Sequence, residues 1–208
     1  MARHKENERD KVLSQTRQAL LAAATEAFAR DGYAGANINR ISLAAGFAKG
    51  TIYNYFPSKR ALMLALIEEI AATHAAFIMS QVAQEEQPDR RLVRFYEAGF
   101  AFVTDNQAQA QLMIAALYGS DPAFKGHMYQ AYQPLFGFVN SNIISPGIEQ
   151  GIFRPLDSAS ASTLLMTIYL GTSSQVQEDG RPWLDPQLVA DFALHGLYQK
   201  GPLSDKED

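Results

Sequence analysis

Between Asn37 and Lys59 the chain reads NINRISLAAGFAKGTIYNYFPSK, a stretch that leaves few folds open. Two short helical patterns, Ile38 to Ala45 and Lys49 to Tyr55, flank a Gly46-Phe47-Ala48 turn, the layout of a helix-turn-helix. Ile41, Ala45, Phe47, Ile52 and Phe56 are spaced to pack the two helices together. That leaves Lys49, Gly50, Thr51, Tyr53, Asn54 and Tyr55 on or near the open side, as a DNA-reading helix requires. Gly50 and Thr51 would let backbone amides approach a phosphate or a base edge, while Tyr53, Tyr55 and Lys59 suit phosphate contacts.

The overall charge of −4 looks wrong for such a role until it is divided along the chain. Residues 1–62 hold 10 Lys and Arg against 5 Asp and Glu, a net +5; the remainder holds 8 against 17, a net −9. The basic share therefore sits with the proposed reader, and the acidic remainder discourages nonspecific wrapping. At 208 residues and 47% hydrophobic, the chain can bury one sizeable core or two modest ones. With no cysteine there is no disulfide framework and no thiol nucleophile, as suits a reducing cytoplasm. The opening MARHKENERDKVLSQTR is too charged for a signal-peptide core and no uninterrupted apolar run of spanning length comes after it, so a cytoplasmic chain without a membrane partner is expected.

The order Gly32-Tyr33, Asn37, Ile41, Ala45-Gly46, Lys49-Gly50-Thr51-Ile52-Tyr53, Tyr55-Phe56 and Ser58-Lys59, behind an Ala-rich helix ending in Phe28, resembles the tetracycline-repressor (TetR) family of transcriptional regulators. The resemblance covers roughly Leu13 to Leu66. It implies an all-α fold: an N-terminal three-helix DNA-binding domain over 1–60, joined by a long helix to an effector-binding and dimerisation domain over 61–208. It also implies a homodimeric repressor, released from a palindromic operator in double-stranded DNA by a small effector. The DNA-contacting set on this basis is Asn37, Asn39, Arg40, Lys49, Gly50, Thr51, Tyr53, Asn54, Tyr55 and Lys59. Four positions depart from the family pattern. Asn37 stands for threonine as a helix cap, Arg40 for an acidic residue and Ser42 for alanine. Ala48 stands for the serine that caps the second helix, a loss of about 1 kcal/mol. These exchanges bear on which operator is read.

Along the chain, a charged arm precedes a first helix from Leu13 to Arg30, which Asp31-Gly32 stops and whose neighbour Tyr33 packs in the small core. Ser58 caps a long helix from Lys59 towards Gln84 with a stripe of Leu62, Leu66, Ile70, Thr73 and Phe77. The polar break Glu85-Glu86-Gln87-Pro88 comes next. Asp89 opens a helix to Thr104 and Asn106 one to Tyr118, closed by Gly119; Asp121-Pro122 starts another. Pro134 and Pro146 break or kink the helical pattern into segments near 122–133 and 134–151. Asp157 opens a helix to Val176 and Asp185 a last one to Gln199, with Gly201-Pro202 closing the fold.

Aromatic residues concentrate between Phe95 and Tyr169, where Arg94, Glu97 and His127 are among few charges. Apolar walls with a few hydroxyls make a pocket, so Phe95, Phe100, Tyr118, Tyr132, Phe136 and Tyr169 are the candidates for holding an apolar or aromatic effector. The last two helices carry Leu164, Leu165, Ile168 and Thr172 on one stripe and Leu188, Val189, Phe192, His195 and Leu197 on another. Paired across a dyad they would form a four-helix interface, as the resemblance implies. No enzyme is expected, and no cofactor or metal: His4, His74, His127 and His195 lack ligand spacing, and no nucleophile elbow or phosphate-cradling loop occurs. An architectural DNA-binding protein, or an activator, without a small-molecule effector is the alternative.

Overall fold

Five helix starts among the described residues each rest on one oxygen-bearing side chain. In a computed structural model, which describes residues 2–198 with side chains from residue 8 onward, the chain is all-α. Helix α1 (Ala2–Gly35) leads into α2 (Ile38–Ala44), where Asn37 Oδ1 accepts from the amides of Asn39 and Arg40 at 2.9 and 3.2 Å. Ser58 Oγ accepts from the Ala61 amide at the start of α3 (Lys59–Val82). Asp121, Asp157 and Asp185 cap α6 (Pro122–Ala131), α9 (Ser158–Ser173) and α10 (Pro186–Leu197) in the same way. Between them lie α4 (Pro88–Asp105), α5 (Gln107–Tyr118), α7 (Gln133–Val139) and α8 (Ser145–Glu149). Among the described residues no strand forms; two isolated bridges, Phe153 with Tyr198 and Val176 with Pro182, are the nearest approach.

The chain forms two compact units, Met1–Ile70 with Ala108–Met128, and Ala71–Gln107 with Tyr129–Asp208. In the first, Leu20, Leu21, Ala24 and Phe28 of α1 are buried together with Ile38, Ile41, Ile52, Phe56 and the leading half of α3, Leu62 to Ile70. In the second, α4 packs on α9 and α10, and Phe95, Tyr96, Leu92 and Tyr169 are fully buried.

Several expectations need correction. The segment before Leu13 is the start of α1 and not a separate arm, although Gly32, at φ 69°, does interrupt α1 where the stop was expected. Tyr33 is 38% exposed and stacks on Phe28 from outside the core. The expected second helix of the pair, Lys49 to Tyr55, is a four-residue 3-10 turn, Thr51–Asn54. Gly50 offers no side-chain cap, the amides of Tyr53 and Tyr55 bond three residues back to Gly50 and Ile52, and Pro57 keeps the residue before it out of the helical region. In α3 the buried stripe passes Leu62, Leu66 and Ile70 as expected and then runs through His74, Ala75, Ile78 and Val82. Thr73 and Phe77 are exposed, because a 3.6-residue period carries the stripe to 74 and 78. By length and hydropathy α3 would suit a membrane span, but Glu68 and Glu69 lie within it and half of its most apolar stretch is buried.

Gln87, not Asp89, occupies the cap position of α4. Asn106 turns back to donate to the Phe102 carbonyl, closing α4 and not opening α5. The expected segment near 134–151 does form as one run, with Pro146 accommodated inside it: α7 passes through a π-helical stretch, Asn140–Ile144, directly into α8. A proline at 146 cannot bond the carbonyl of Asn142, and Arg91 Nη1 supplies the missing donor at 2.9 Å while its Nε bonds the Glu85 carbonyl. Helix α9 ends at Ser173, short of Val176, and α10 is described to Leu197; Gln199 and Gly201-Pro202 lie outside the described residues.

Candidate functional site

Helix α2 ends at Gly46, whose φ of 85° reverses the chain. Ile41, Ile52 and Phe56 close underneath, with Ala45 and Phe47 partly buried beside them. This leaves Asn37, Asn39, Arg40, Lys49, Gly50, Tyr53 and Asn54 exposed, while Thr51, Tyr55 and Lys59 are half-buried. Asn37 spends its carbonyl oxygen on the α2 cap. Lys59 is partly committed too: its ammonium donates to the Ala34 carbonyl at 2.9 Å and sits 5.1 Å from the Tyr33 ring centre. Within the same unit Arg60 bonds Asp121 at 3.0 Å and stacks over Phe124, whose ring meets Tyr33 edge-on. His127 Nε2 lies 3.0 Å from Glu68 Oε1. Arg30 grips Asp31 with two bonds of 2.9 Å, and that grip holds the Asp31 carboxyl below its usual range.

The aromatic candidates separate. Phe95, Phe100 and Tyr169 are buried and in ring contact, Tyr132 is buried, Phe136 is partly buried, and Tyr118 is 63% exposed and belongs to the other unit. The surviving group is organised by His74. Its Nδ1 lies 2.7 Å from the Tyr132 hydroxyl and its Nε2 2.8 Å from that of Tyr169, while its ring stacks on Phe102 at 4.2 Å. Burial pushes His74 down to about 3, so the imidazole is neutral; one nitrogen donates and the other accepts. Burial likewise pushes both phenols up, which keeps them protonated. Gly99 leaves the space that the Tyr169 ring occupies, since a Cβ there would lie 2.4 Å from Cε2.

Of the candidate interface residues, Leu165, Val189 and Leu197 are buried within their own unit. Leu164, Leu188 and Phe192 are exposed by 65, 59 and 74%; His195 is exposed, and Ile168 and Thr172 are partly so. A groove of about 430 Å³ lies between α9 and α10, walled by Ala161, Leu164, Leu165, Ile168, Phe192 and Leu197 among others, with Arg154 and Asp157 among the residues lining it.

Residues 20–66 match the family described as "Bacterial regulatory proteins, tetR family". The helix-turn-helix segment is similar to that of the TetR family. Among named relatives, the HTH-type transcriptional repressor AcnR of Corynebacterium diphtheriae is 39% identical over 66 residues, which is 32% of this chain and 35% of AcnR. The HTH-type transcriptional regulator RutR of Escherichia coli is 36% identical over 62 residues, 30% of this chain and 29% of RutR. The chain thus spans only about a third of the length of these relatives. The fold likeness is wider. FadR of Bacillus subtilis, solved in complex with stearoyl-CoA, superposes with a TM-score of 0.74 at 20% identity, covering 86% of this chain and 95% of FadR. AibR, solved with isovaleryl coenzyme A and operator DNA, gives 0.66 at 19%, covering 88% and 98%.

Two residues with evident work to do in this chain were not among the sequence candidates. His74 was signalled by its place: four residues on from Ile70 and four before Ile78, it is a polar group on an apolar stripe, which needs partners. Ser42 stood out only as a departure from the family pattern, and its partner across the turn is invisible before folding.

Proposed function

We propose that this chain is a sequence-specific DNA-binding transcriptional regulator, a homodimeric repressor that reads a palindromic operator through residues 1–60 and is released by a small effector bound in 61–208. The observation that carries the reading is the exposed polar edge Arg40, Lys49, Gly50, Tyr53 and Asn54 on a helix-turn-helix within the family segment. Incubating the protein with fragmented genomic DNA at physiological salt, recovering the fragments it holds and sequencing them tests this. Enrichment of a few palindromic sites is expected; uniform recovery would point to an architectural role, and no recovery would overturn the reading. Lys49→Ala should weaken all duplexes alike and lower the dependence of log affinity on log salt by about one, whereas changes at Thr51 should alter the preferred sequence.

The dimer reading is supported by the apolar face of α9 and α10, where Leu164, Leu188 and Phe192 stand in solvent beside the groove. Phe192→Glu places a charge on this face and is expected to turn a dimer into a monomer in sedimentation velocity and to reduce recovery of the selected duplex at least tenfold. A wild-type chain that sediments as a monomer, or a variant that stays dimeric, would remove this surface from the mechanism.

For the effector, the buried aromatic walls of the second unit favour an apolar or aromatic compound; acyl-coenzyme A thioesters, with which FadR and AibR were solved, join an apolar acyl chain to a polyanionic head and form a separate class, whose tight binding would count against that reading. The effector works only through its differential affinity for the operator-spaced and released states. The close packing of Phe95, Phe100 and Tyr169, with both phenol hydroxyls engaged by His74, favours the second reading, a DNA-binding protein or activator without an effector. Titrating a bound, selected duplex with acyl-coenzyme A of increasing chain length, with free coenzyme A as control, separates the two. Release that grows with chain length supports the repressor.

A further inference from the structure

The reading turn begins at residues that cannot hold it. Gly50 occupies the cap position of the Thr51–Asn54 turn and makes no side-chain cap bond, and Ala48 has only a methyl group to offer. The start of the turn is fixed from beneath, by α2. Ser42 is 0% exposed, and its Oγ donates to the Ala48 carbonyl at 2.6 Å. The Ser42 carbonyl in turn accepts from the Phe47 amide at 3.0 Å, so one residue bonds two consecutive residues of the loop. The Ala48 carbonyl also receives the Thr51 amide at 3.0 Å, which uses both of its lone pairs. A peptide group clamped from α2 on one side and from the turn on the other has little freedom to tilt, and Lys49 and Gly50 come directly after it.

We propose that Ser42 is the positioning residue of the DNA-reading turn, its buried hydroxyl holding the Ala48 carbonyl from α2 and so replacing a cap on the turn itself. This rests on the proposed DNA reading, but its first test does not use DNA. In the free protein, Ser42→Ala should raise amide hydrogen exchange at Thr51, Tyr53 and Tyr55 about fivefold, the factor that a lost cap corresponds to, while amides of α1 keep their protection. Serine at 48 could instead accept from the amide of Gly50 or Thr51, so adding Ala48→Ser to Ser42→Ala should restore exchange to the wild-type rate.

On DNA, Ser42→Ala should bind the duplex selected from the genome about fivefold more weakly and an unselected duplex unchanged, and the double variant should regain the difference. Unchanged exchange at the three amides overturns the proposal. So does exchange raised equally through α1, or equal loss on both duplexes, because either describes a unit that has merely loosened. Failure of Ala48→Ser to restore the variant also overturns it. A wild-type protein that retains no duplex overturns the DNA reading alone, and the exchange comparison still decides the role of Ser42.

Discussion

Replacing His74 with phenylalanine is expected to cost the protein more stability than replacing His74, Tyr132 and Tyr169 with phenylalanine together. The single change fills the ring's place beside Phe102 but leaves two phenol hydroxyls, on side chains 4 and 1% exposed, without the nitrogen each faces. A buried hydroxyl deprived of its partner costs roughly 1–3 kcal/mol, so the single variant should lose about 2–4 kcal/mol, the Tyr169 hydroxyl keeping its bond to Ser173; the triple variant leaves only the Ser173 hydroxyl in need of another partner and should lie within about 1 kcal/mol of wild type. Urea unfolding at pH 7.5 measures both, and a His74→Phe loss no larger than that of the triple variant would mean the hydroxyls find other partners. The same residue sets an acid limit. Its folded pKa is lowered from 6.5 to about 3, so below pH 6.5 the unfolded chain takes up a proton that the folded chain refuses. Stability from this group is therefore full above about pH 6.5 and falls by up to about 1.4 kcal/mol per pH unit until pH reaches about 3. His74→Phe should remove that part of the slope between pH 6.5 and 4, and an unaltered slope would place the histidine in water.

This cluster also marks how far the chain could be read before folding. The helix-turn-helix was legible because its determinants are local: Asn37 caps over three residues, Gly46 takes positive φ, and Ile41 and Ile52 lie within a dozen residues of one another. Helix starts at Ser58, Asp121, Asp157 and Asp185 were legible for the same reason. The 3-10 form of the reading turn was not, since pattern alone does not separate three-residue from four-residue bonding in so short a segment. Among the aromatics, composition could not sort Tyr118 on the surface from Tyr169 in the core, because partners 58 and 95 residues from His74 decide it. Asn106 shows the limit of cap reading: the same side chain can serve the helix before it, and here it does.

Gly147→Ala should be among the most damaging single-methyl additions in the chain. Gly147 comes directly after the proline that the π-helical stretch accommodates, on α8. An added Cβ would lie 2.1 Å from Cδ2 and 2.3 Å from Cε2 of Phe153, distances at which something must move. Little there can move. The Phe153 ring is 1% exposed, and the amides of both Ile152 and Phe153 bond the Gly147 carbonyl at 2.9 Å, so ring and glycine are held by the same peptide group. Next along, Arg154 is bonded through its amide to the Leu197 carbonyl at 2.8 Å, which blocks an outward shift of the strand-like segment. Overpacking costs about 1–3 kcal/mol where neighbours can yield, so at least the upper end, about 3 kcal/mol, is expected here. Gly137→Ala provides the control: it sits in α7 with no heavy atom within 4 Å of its added Cβ and should be neutral or stabilising by up to about 1 kcal/mol, as alanine is the better helix former. Thermal unfolding of the two variants separates them, and shortening the opposing ring in Gly147→Ala/Phe153→Leu should recover part of the loss. If Gly147→Ala melts with wild type while Gly137→Ala does not, the tight seat of Phe153 beneath α8 is wrong, and the reason for a glycine after Pro146 must lie in the backbone instead.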